Sequence, residues 1–163
     1  MVNNKEIKQY STSQLTWLVA LRVIIGWHFL YEGMVKVTNP NWSSVGYLLD
    51  SSGIFKEFFL SIATNPDILN IADFLNMWGL IAIGLGLILG AFTRVALWSG
   101  IVLLVFYYLS HPPFIGLSYS MPMEGSYLFV NKVLIEFISM VVLVVFPTGR
   151  QIGMDRFICK QQN

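Results

Sequence analysis

Five ionisable side chains form two rows within or directly after long apolar stretches of this sequence. The first row begins inside the first stretch, where His28, Glu32 and Lys36 follow one another at intervals of four residues, and Lys132 and Glu136 have the same spacing in the last stretch. Residues four apart share one face of a helix. Ionisable groups at membrane depth are costly and are functional candidates. We take the histidine and the two glutamates as candidate catalytic, proton-exchanging residues and the two lysines as candidate binding residues, with a purely structural ion-pair network as the alternative.

The two histidines raise the question of a haem or a metal ion. His28 lies within the first apolar stretch, whereas His111 opens a proline-containing loop. Two histidines suffice as axial ligands of a haem, but the sequence has no haem attachment motif and Cys159 is its single cysteine. No set of His, Cys, Asp and Glu has the spacing of metal ligands, and no flavin fingerprint occurs. We expect no haem, flavin or metal, and keep His111 as a candidate binding residue.

The composition of the sequence indicates what kind of protein positions these residues. Of the 163 residues, 55% are hydrophobic and 12% are charged, and the mean hydropathy is +0.64. A soluble domain usually carries about 25% charged residues. The formal charge of +1 provides no strong field for nucleic acid, and the aliphatic and aromatic content excludes disorder. The apolar surplus exceeds what a core of this size can bury, which indicates an integral membrane protein.

Four apolar stretches approach the length of about 20 residues that a helix needs to cross a hydrocarbon core of about 30 Å. They cover residues 15–31, 74–92, 95–109 and 127–146. The segment 47–63 is apolar but too interrupted to span, which favours an interfacial helix. We predict an all-α membrane protein, a four-transmembrane-helix bundle with a short interfacial helix in the first outer loop. The predicted divisions are a polar tail (1–14), the membrane domain (15–146) and a C-terminal tail (147–163).

The distribution of positive charge predicts the orientation. Seven of the ten Lys and Arg residues lie in the two tails, at the entry to the first helix or in the turn between the second and third helices. Positive residues mark the cytoplasmic side, so we expect a multi-pass protein of the bacterial inner membrane with both termini in the cytoplasm. The long loops 38–73 and 110–126 then face outward. Because prolines disfavour regular helix, we expect residues 111–123 to form an irregular lid over the outer mouth of the bundle.

Three segments in a fixed order resemble one family. They are LRVIIGWHFLYEGMVKV with the following TNPNW and SSGIF, then WGLIAIGLGLILGAFTRVA, and finally FPTGRQIGMDRFI. From about Leu21 to Arg156 the chain resembles the DoxX/DoxD family of small four-helix membrane proteins, and it is most similar to the DoxD-like subunit of thiosulfate:quinone oxidoreductase. The resemblance implies interaction with quinone and a redox or extracytoplasmic partner protein.

Aromatic residues collect near the predicted outer ends of the helices. Three of them, Trp27, Tyr31 and Trp42, adjoin the first row of ionisable residues. An aromatic belt at the membrane interface explains such residues in any membrane protein. Given the resemblance, we also consider these three, together with the two lysines and His111, as the walls of a quinone-head pocket. A histidine with a glutamate would exchange protons there.

The resemblance and the residues together predict a membrane subunit of a respiratory oxidoreductase that interacts with the quinone pool, with thiosulfate, a sugar or another reductant as electron donor. The sequence has no cysteine pair, flavin motif or metal cluster to hold electrons, so catalysis would require a partner. The alternative is a non-catalytic membrane anchor or assembly factor for an extracytoplasmic protein; a transporter is a third option. Gly86 and Gly90 allow close helix approach, either within the bundle or in a homo-oligomer.

The two rows of ionisable residues are expected to meet. If the first helix ends near residue 37 and the fourth begins at residue 127, Glu32 and Lys132 both lie about 7.5 Å from the outer ends of their helices. By the same count, His28 and Glu136 both lie about 13.5 Å inside. Opposite charges at equal depths offset each other's desolvation. We therefore predict neighbouring first and fourth helices, with Glu32 facing Lys132 and His28 facing Glu136.

Overall fold

The computed structural model describes residues 10–120 and 128–158. Within these ranges all regular structure is helical, as predicted, and no β-strand occurs. The predicted tail up to residue 9, the end of the predicted lid with Pro122, the predicted helix start at Tyr127, and Cys159 lie outside the described residues. The helices are α1 (Thr12–Thr38), α2 (Val45–Leu49), α3 (Lys56–Thr64), α4 (Pro66–Leu89), α5 (Thr93–Ser110), α6 (Lys132–Val145) and α7 (Asp155–Ile158).

Three of the described helices, α1, α4 and α5, are long and apolar enough to cross a membrane. The fourth predicted span corresponds to α6, whose 14 residues extend about 21 Å, less than the hydrocarbon thickness of about 30 Å. The prediction placed the start of this helix too early. Asn131 is its N-cap, and its side chain accepts a hydrogen bond from the backbone N–H of Leu134 at 2.9 Å. Lys132 is therefore the first residue of the helix and does not lie a turn inside it.

The four long helices form a bundle in which α1 packs on α4 and α6, and α5 packs on the same two helices. The closest approach joins α1 to α4, where Gly26 and Gly33 of α1 face α4 and Gly84 of α4 faces α1. Glycine allows this approach because it has no side chain to separate the backbones. The buried apolar core lies between the four helices: Ile25, Phe29, Leu80, Ile83, Leu87, Ala96, Leu97, Ile101, Leu104, Met140 and Leu143.

The connection between α1 and α4 contains two short helices, so the prediction of one short helix within residues 47–63 is confirmed only in part: α3 lies there, but α2 precedes it. Residues 50–55 separate α2 from α3, and Gly53 adopts a φ of 87° in this turn. The start of α2 is tied to α4, because the backbone N–H of Ser44 donates to the buried carboxylate of Asp73 at 2.9 Å and the Ser44 hydroxyl donates to it as well. The two short helices consequently lie against the bundle.

At the opposite end, the chain after α6 folds back against the turn between α4 and α5. Gly90 ends α4 in the left-handed region (φ 66°), and its carbonyl accepts a hydrogen bond from the Asp155 N–H at 2.8 Å. A Cβ on Gly86 would lie 3.1 Å from the Cβ of Ala96 in α5. Both glycines of the predicted small-residue pair therefore lie at contacts within one chain, as expected for packing inside the bundle.

Candidate functional site

A small cavity between α1, α5 and α6 brings together all five ionisable residues of the two predicted rows. Its volume is about 170 Å³. His28 Nδ1 lies 2.7 Å from Oε1 of Glu136, which joins α1 to α6 and confirms the predicted contact between these helices and these residues. The side chain of Glu136 is 11% exposed and that of His28 33% exposed. The pair therefore lies in the wall of the cavity.

The second predicted pair, Glu32 facing Lys132, lines the same cavity but forms no direct ion pair. Glu32 Oε2 instead lies 3.0 Å from the ammonium of Lys36, one turn further along the same helix. Lys132 lines the same cavity, and its charge acts on Glu32 only at longer range. Lys36 also lies 5.6 Å from the centre of the Trp42 ring, a cation–π distance. Trp42 is thereby connected to the cavity through Lys36.

Two of the predicted aromatic walls do not belong to this cavity. Trp27 is 62% exposed and Tyr31 is 58% exposed, and neither lines it. Successive helical residues are rotated by about 100°, so residues directly before His28 and Glu32 point away from the face that those two share. The aromatic wall is formed by Phe29 and Tyr107. Trp27 and Tyr31 match the belt interpretation.

His111 lies in a separate, buried cluster and does not line the cavity that contains His28. Its side chain is 3% exposed and its ring stacks on Tyr47 with centroids 4.0 Å apart. Nδ1 is 3.0 Å from the hydroxyl of Ser110, and Nε2 is 3.8 Å from a carboxylate oxygen of Asp50. On its other side the Tyr119 ring lies 4.7 Å away. The sequence separation of the two histidines gave no indication that they belong to different sites.

The predicted lid over the outer mouth is only partly confirmed. Residues 111–120 are irregular, as their prolines predicted. They pack on the end of α2, because the backbone N–H of Ser120 donates to both carboxylate oxygens of Asp50 at 3.0 Å. A hydrogen bond of 2.8 Å from the Tyr119 hydroxyl to the Pro112 carbonyl holds the segment together internally. None of these ten residues lines the cavity at His28. The described part of the segment therefore does not cover that cavity, contrary to the prediction.

Acidification is expected to loosen the cluster around His111. Burial lowers the pKa of His111 below its ordinary value of 6.5, and the Asp50 carboxylate opposes this shift only in part. Because the pKa of His111 is lowered in the folded protein, the folded protein binds fewer protons than the unfolded chain. The contribution of neutral His111 to the free energy of unfolding is therefore fully present above about pH 6.5, and it is lost as the pH falls through the pKa of the folded state. Between about pH 7 and about pH 5, the melting temperature of the wild type should fall more than that of His111→Gln. Equal falls would contradict this.

Two residues beside the predicted site were not singled out by the sequence. Tyr107 of α5 lines the cavity, and its hydroxyl accepts a hydrogen bond from Nδ2 of Asn76 in α4 at 2.8 Å. In the sequence Tyr107 is one of several aromatic residues near a helix end. Asn76 is an isolated polar residue within an apolar stretch. This feature could have identified it from the sequence, because a buried amide requires hydrogen-bond partners.

The comparison with known proteins agrees with this architecture. The sequence profile of the DoxX family matches residues 17–112, which is more than half of the chain. The matched region includes the first row of ionisable residues and α4 and α5, and it ends before α6. No curated protein and no solved structure matches the chain significantly. On the strength of the profile match, and in accord with its apolar helices, the chain belongs to the DoxX family of membrane proteins.

Proposed function

We propose that this protein is a membrane subunit of a respiratory oxidoreductase, similar to the DoxD-like subunit of thiosulfate:quinone oxidoreductase, and that it binds a quinone head in the cavity at His28. The observation that carries the proposal is the contact of 2.7 Å between His28 and Glu136 in the wall of that cavity. A paired histidine and carboxylate within a membrane bundle is a proton-exchanging group at the depth where a lipid-soluble acceptor resides.

The size and lining of the cavity fit a single ring. An apolar cavity of about 150 Å³ is known to hold benzene, and this one has about 170 Å³. Leu80, Leu104 and Val133 provide apolar contacts, and the ammonium groups of Lys36 and Lys132 provide hydrogen-bond donors for carbonyl oxygens. A bound quinone would supply the redox chemistry, as an acceptor of electrons and protons.

The protein's own residues hold and exchange the protons. With Glu136 as the acceptor of the Nδ1–H of His28, the Nε2 atom of the same ring is left to take up or release a proton. Glu32 and Lys36 neutralise each other at 3.0 Å, so they add polarity to the cavity with little net charge. Oxidation of the electron donor is assigned to a partner protein.

The proposal also includes the membrane topology. In it, α6 is part of a fourth membrane span, and both termini lie in the cytoplasm of an inner-membrane protein.

The test compares Glu136→Gln with Glu57→Gln, a control on the exposed surface of α3. Gln keeps an oxygen to accept the His28 N–H but removes the proton acceptor, so we expect quinone-linked turnover in membranes to fall about a hundredfold. The amount of folded protein should remain unchanged. Glu57→Gln should behave as the wild type. The wild type should also retain quinone in organic extracts of the purified complex.

Two results would overturn the proposal. If the wild type co-purifies with a partner but without quinone, the protein is better described as a non-catalytic anchor. If Glu136→Gln removes the folded protein from the membrane, while His28→Gln has full turnover, the pair is a structural contact between α1 and α6.

A further inference from the structure

A second, larger cavity lies between α4 and α5 and is roofed by α3. Its volume is about 740 Å³, within the range of about 300–1,000 Å³ that is typical of ligand sites. Phe58 and Phe59 of α3 form the roof, and the Phe58 ring lies parallel to that of Phe106, with centroids 6.4 Å apart. A helix from the connecting segment therefore forms one side of the cavity, and the opposite side is partly open.

Among the described residues, every side chain that lines this cavity is uncharged. Ser44, Tyr47, Asn76, Tyr107 and Ser110 lie at one end. The two serines also contact buried ionisable groups behind the wall, because the Ser44 hydroxyl donates to a carboxylate of α4 and the Ser110 hydroxyl lies 3.0 Å from an imidazole nitrogen. The ionisable groups are thus shielded from the cavity, and what faces it is a set of hydroxyl and amide groups.

One acceptor at this polar end has no donor. Oδ1 of Asn76 is buried and accepts no hydrogen bond within the described part of the chain, while Nδ2 of the same residue donates to Tyr107. Buried polar atoms in native proteins are almost always paired. A hydroxyl group brought by a ligand would provide the missing donor, and this is the chemistry that the polar end recognises.

The other end of the cavity is apolar and elongated. Ile83, Trp98 and Val102 line it, with the hydroxyl of Ser99 nearby. Along α4 the lining extends about 10.5 Å from Asn76 at the polar end to Ile83 at the apolar end. The first part of an extended hydrocarbon chain fits this length with its polar end beside Asn76, and a longer chain continues through the open side of the cavity.

Gly79 lies midway along this wall and opens it. A Cβ built on Gly79 meets no other atom within 4 Å, in contrast to Gly84 on the same helix, which contacts the backbone of α1. Glycine inside a helix is less favourable than alanine by about 1 kcal/mol, and no contact within the described chain requires it at position 79. The residue instead leaves space in the cavity, and any larger side chain there would occupy that space.

We propose that the cavity between α4 and α5 binds an uncharged lipid that has a single hydroxyl head and a long hydrocarbon chain. The head contacts Asn76 and Tyr107, and the chain lies along Gly79 towards Trp98. A phospholipid or a fatty acid would have to bring a charged head among uncharged side chains, where desolvation opposes it. Tyr107 also lines the cavity at His28, but the proposal does not depend on the quinone assignment.

The experiment uses two photoactivatable probes with the same chain, hexadecanol and hexadecanoate, added to the purified full-length protein in phosphatidylcholine nanodiscs. Cross-links are mapped by mass spectrometry. We expect hexadecanol to label residues of α4 and α5 around the cavity at least about tenfold more than hexadecanoate does, since only the latter brings a charge. Gly79→Leu should lower this labelling about tenfold, because its side chain overlaps the bound chain.

Ala82→Leu is the matched control, because Ala82 is an exposed position on the same helix and lines neither cavity. The cavity of Ala82→Leu should be labelled to the same extent as that of the wild type. Equal labelling by alcohol and acid, or undiminished labelling of Gly79→Leu, would overturn the proposal. A failure here leaves quinone retention and turnover unaffected, so it is distinguishable from a failure of the proposed function.

Discussion

Replacing Gly84 with alanine is expected to destabilise the protein by about 3 kcal/mol or more, although alanine is the better helix former. A Cβ at this position would lie 2.5 Å from the backbone nitrogen of Leu30 and 2.7 Å from the carbonyl oxygen of Gly26. Both neighbours are backbone atoms of α1, so no side-chain rotation relieves the overlap. The helices must move apart, which loosens the core contacts on both sides of the crossing.

Gly79→Ala is the control, because it makes the same change on the same helix with nothing within 4 Å of the new atom. Only the higher helix propensity of alanine then affects stability, so the free energy of unfolding should rise by up to about 1 kcal/mol. Denaturant-induced unfolding in detergent micelles measures both variants. A Gly84→Ala protein as stable as Gly79→Ala would show that α1 and α4 do not meet at this glycine.

The importance of Gly84 illustrates what the sequence could not predict. Gly86 and Gly90 have the spacing of a small-residue pair, and Gly84 does not stand out among the glycines of α4. In a soluble helix the apolar stripe identifies the packed face, but a membrane helix is apolar on all faces. The sequence therefore identified which segments form long helices and not which face of each one is packed.

The ionisable residues were more informative because few positions in an apolar helix tolerate them. His28 and Glu136 need a partner within the bundle, and pairing them required only that α1 and α6 be neighbours. The pairing of Glu32 failed because Lys36, four residues later on the same helix, can reach it without any tertiary contact. The depth estimate failed for Lys132, since it assumed that α6 begins before its Asn131 cap.

The aromatic and imidazole residues at the two cavities were beyond sequence reasoning for a related reason. His111 and Tyr107 are near neighbours in sequence, yet Tyr107 lines both cavities and His111 lies behind the polar end of the larger one. His111 is the C-cap of α5, with φ −128° and ψ 68°, so the helical spacing of four residues does not place its ring on the face of Tyr107. The short helices α2 and α3, whose position depends on the Ser44–Asp73 contact, complete the larger cavity.

Replacing Arg22 with methionine is expected to lower the free energy of unfolding by about 3 kcal/mol, since each of the two polar groups left without a donor costs about 1–3 kcal/mol. Arg22 is 3% exposed within α1, and it donates to the Thr148 hydroxyl at 2.9 Å and to the Ile152 carbonyl at 2.8 Å. Methionine fills much of the same volume but donates no hydrogen bond. Arg94→Met, an exposed position at the start of α5, should change stability little.

The loss in Arg22→Met should be concentrated where the C-terminal segment meets the bundle. Asp155 accepts hydrogen bonds from the N–H groups of Phe92 and Thr93, at 2.6 and 3.1 Å, so it holds the start of α5 while Arg22 holds the segment to α1. With one of the two contacts removed, backbone amides of residues 148–155 should exchange hydrogen faster, whereas those in the middle of α4 should be protected nearly as in the wild type. Uniform loss of protection along the whole chain would contradict a local clamp and would make Arg22 a determinant of the entire bundle.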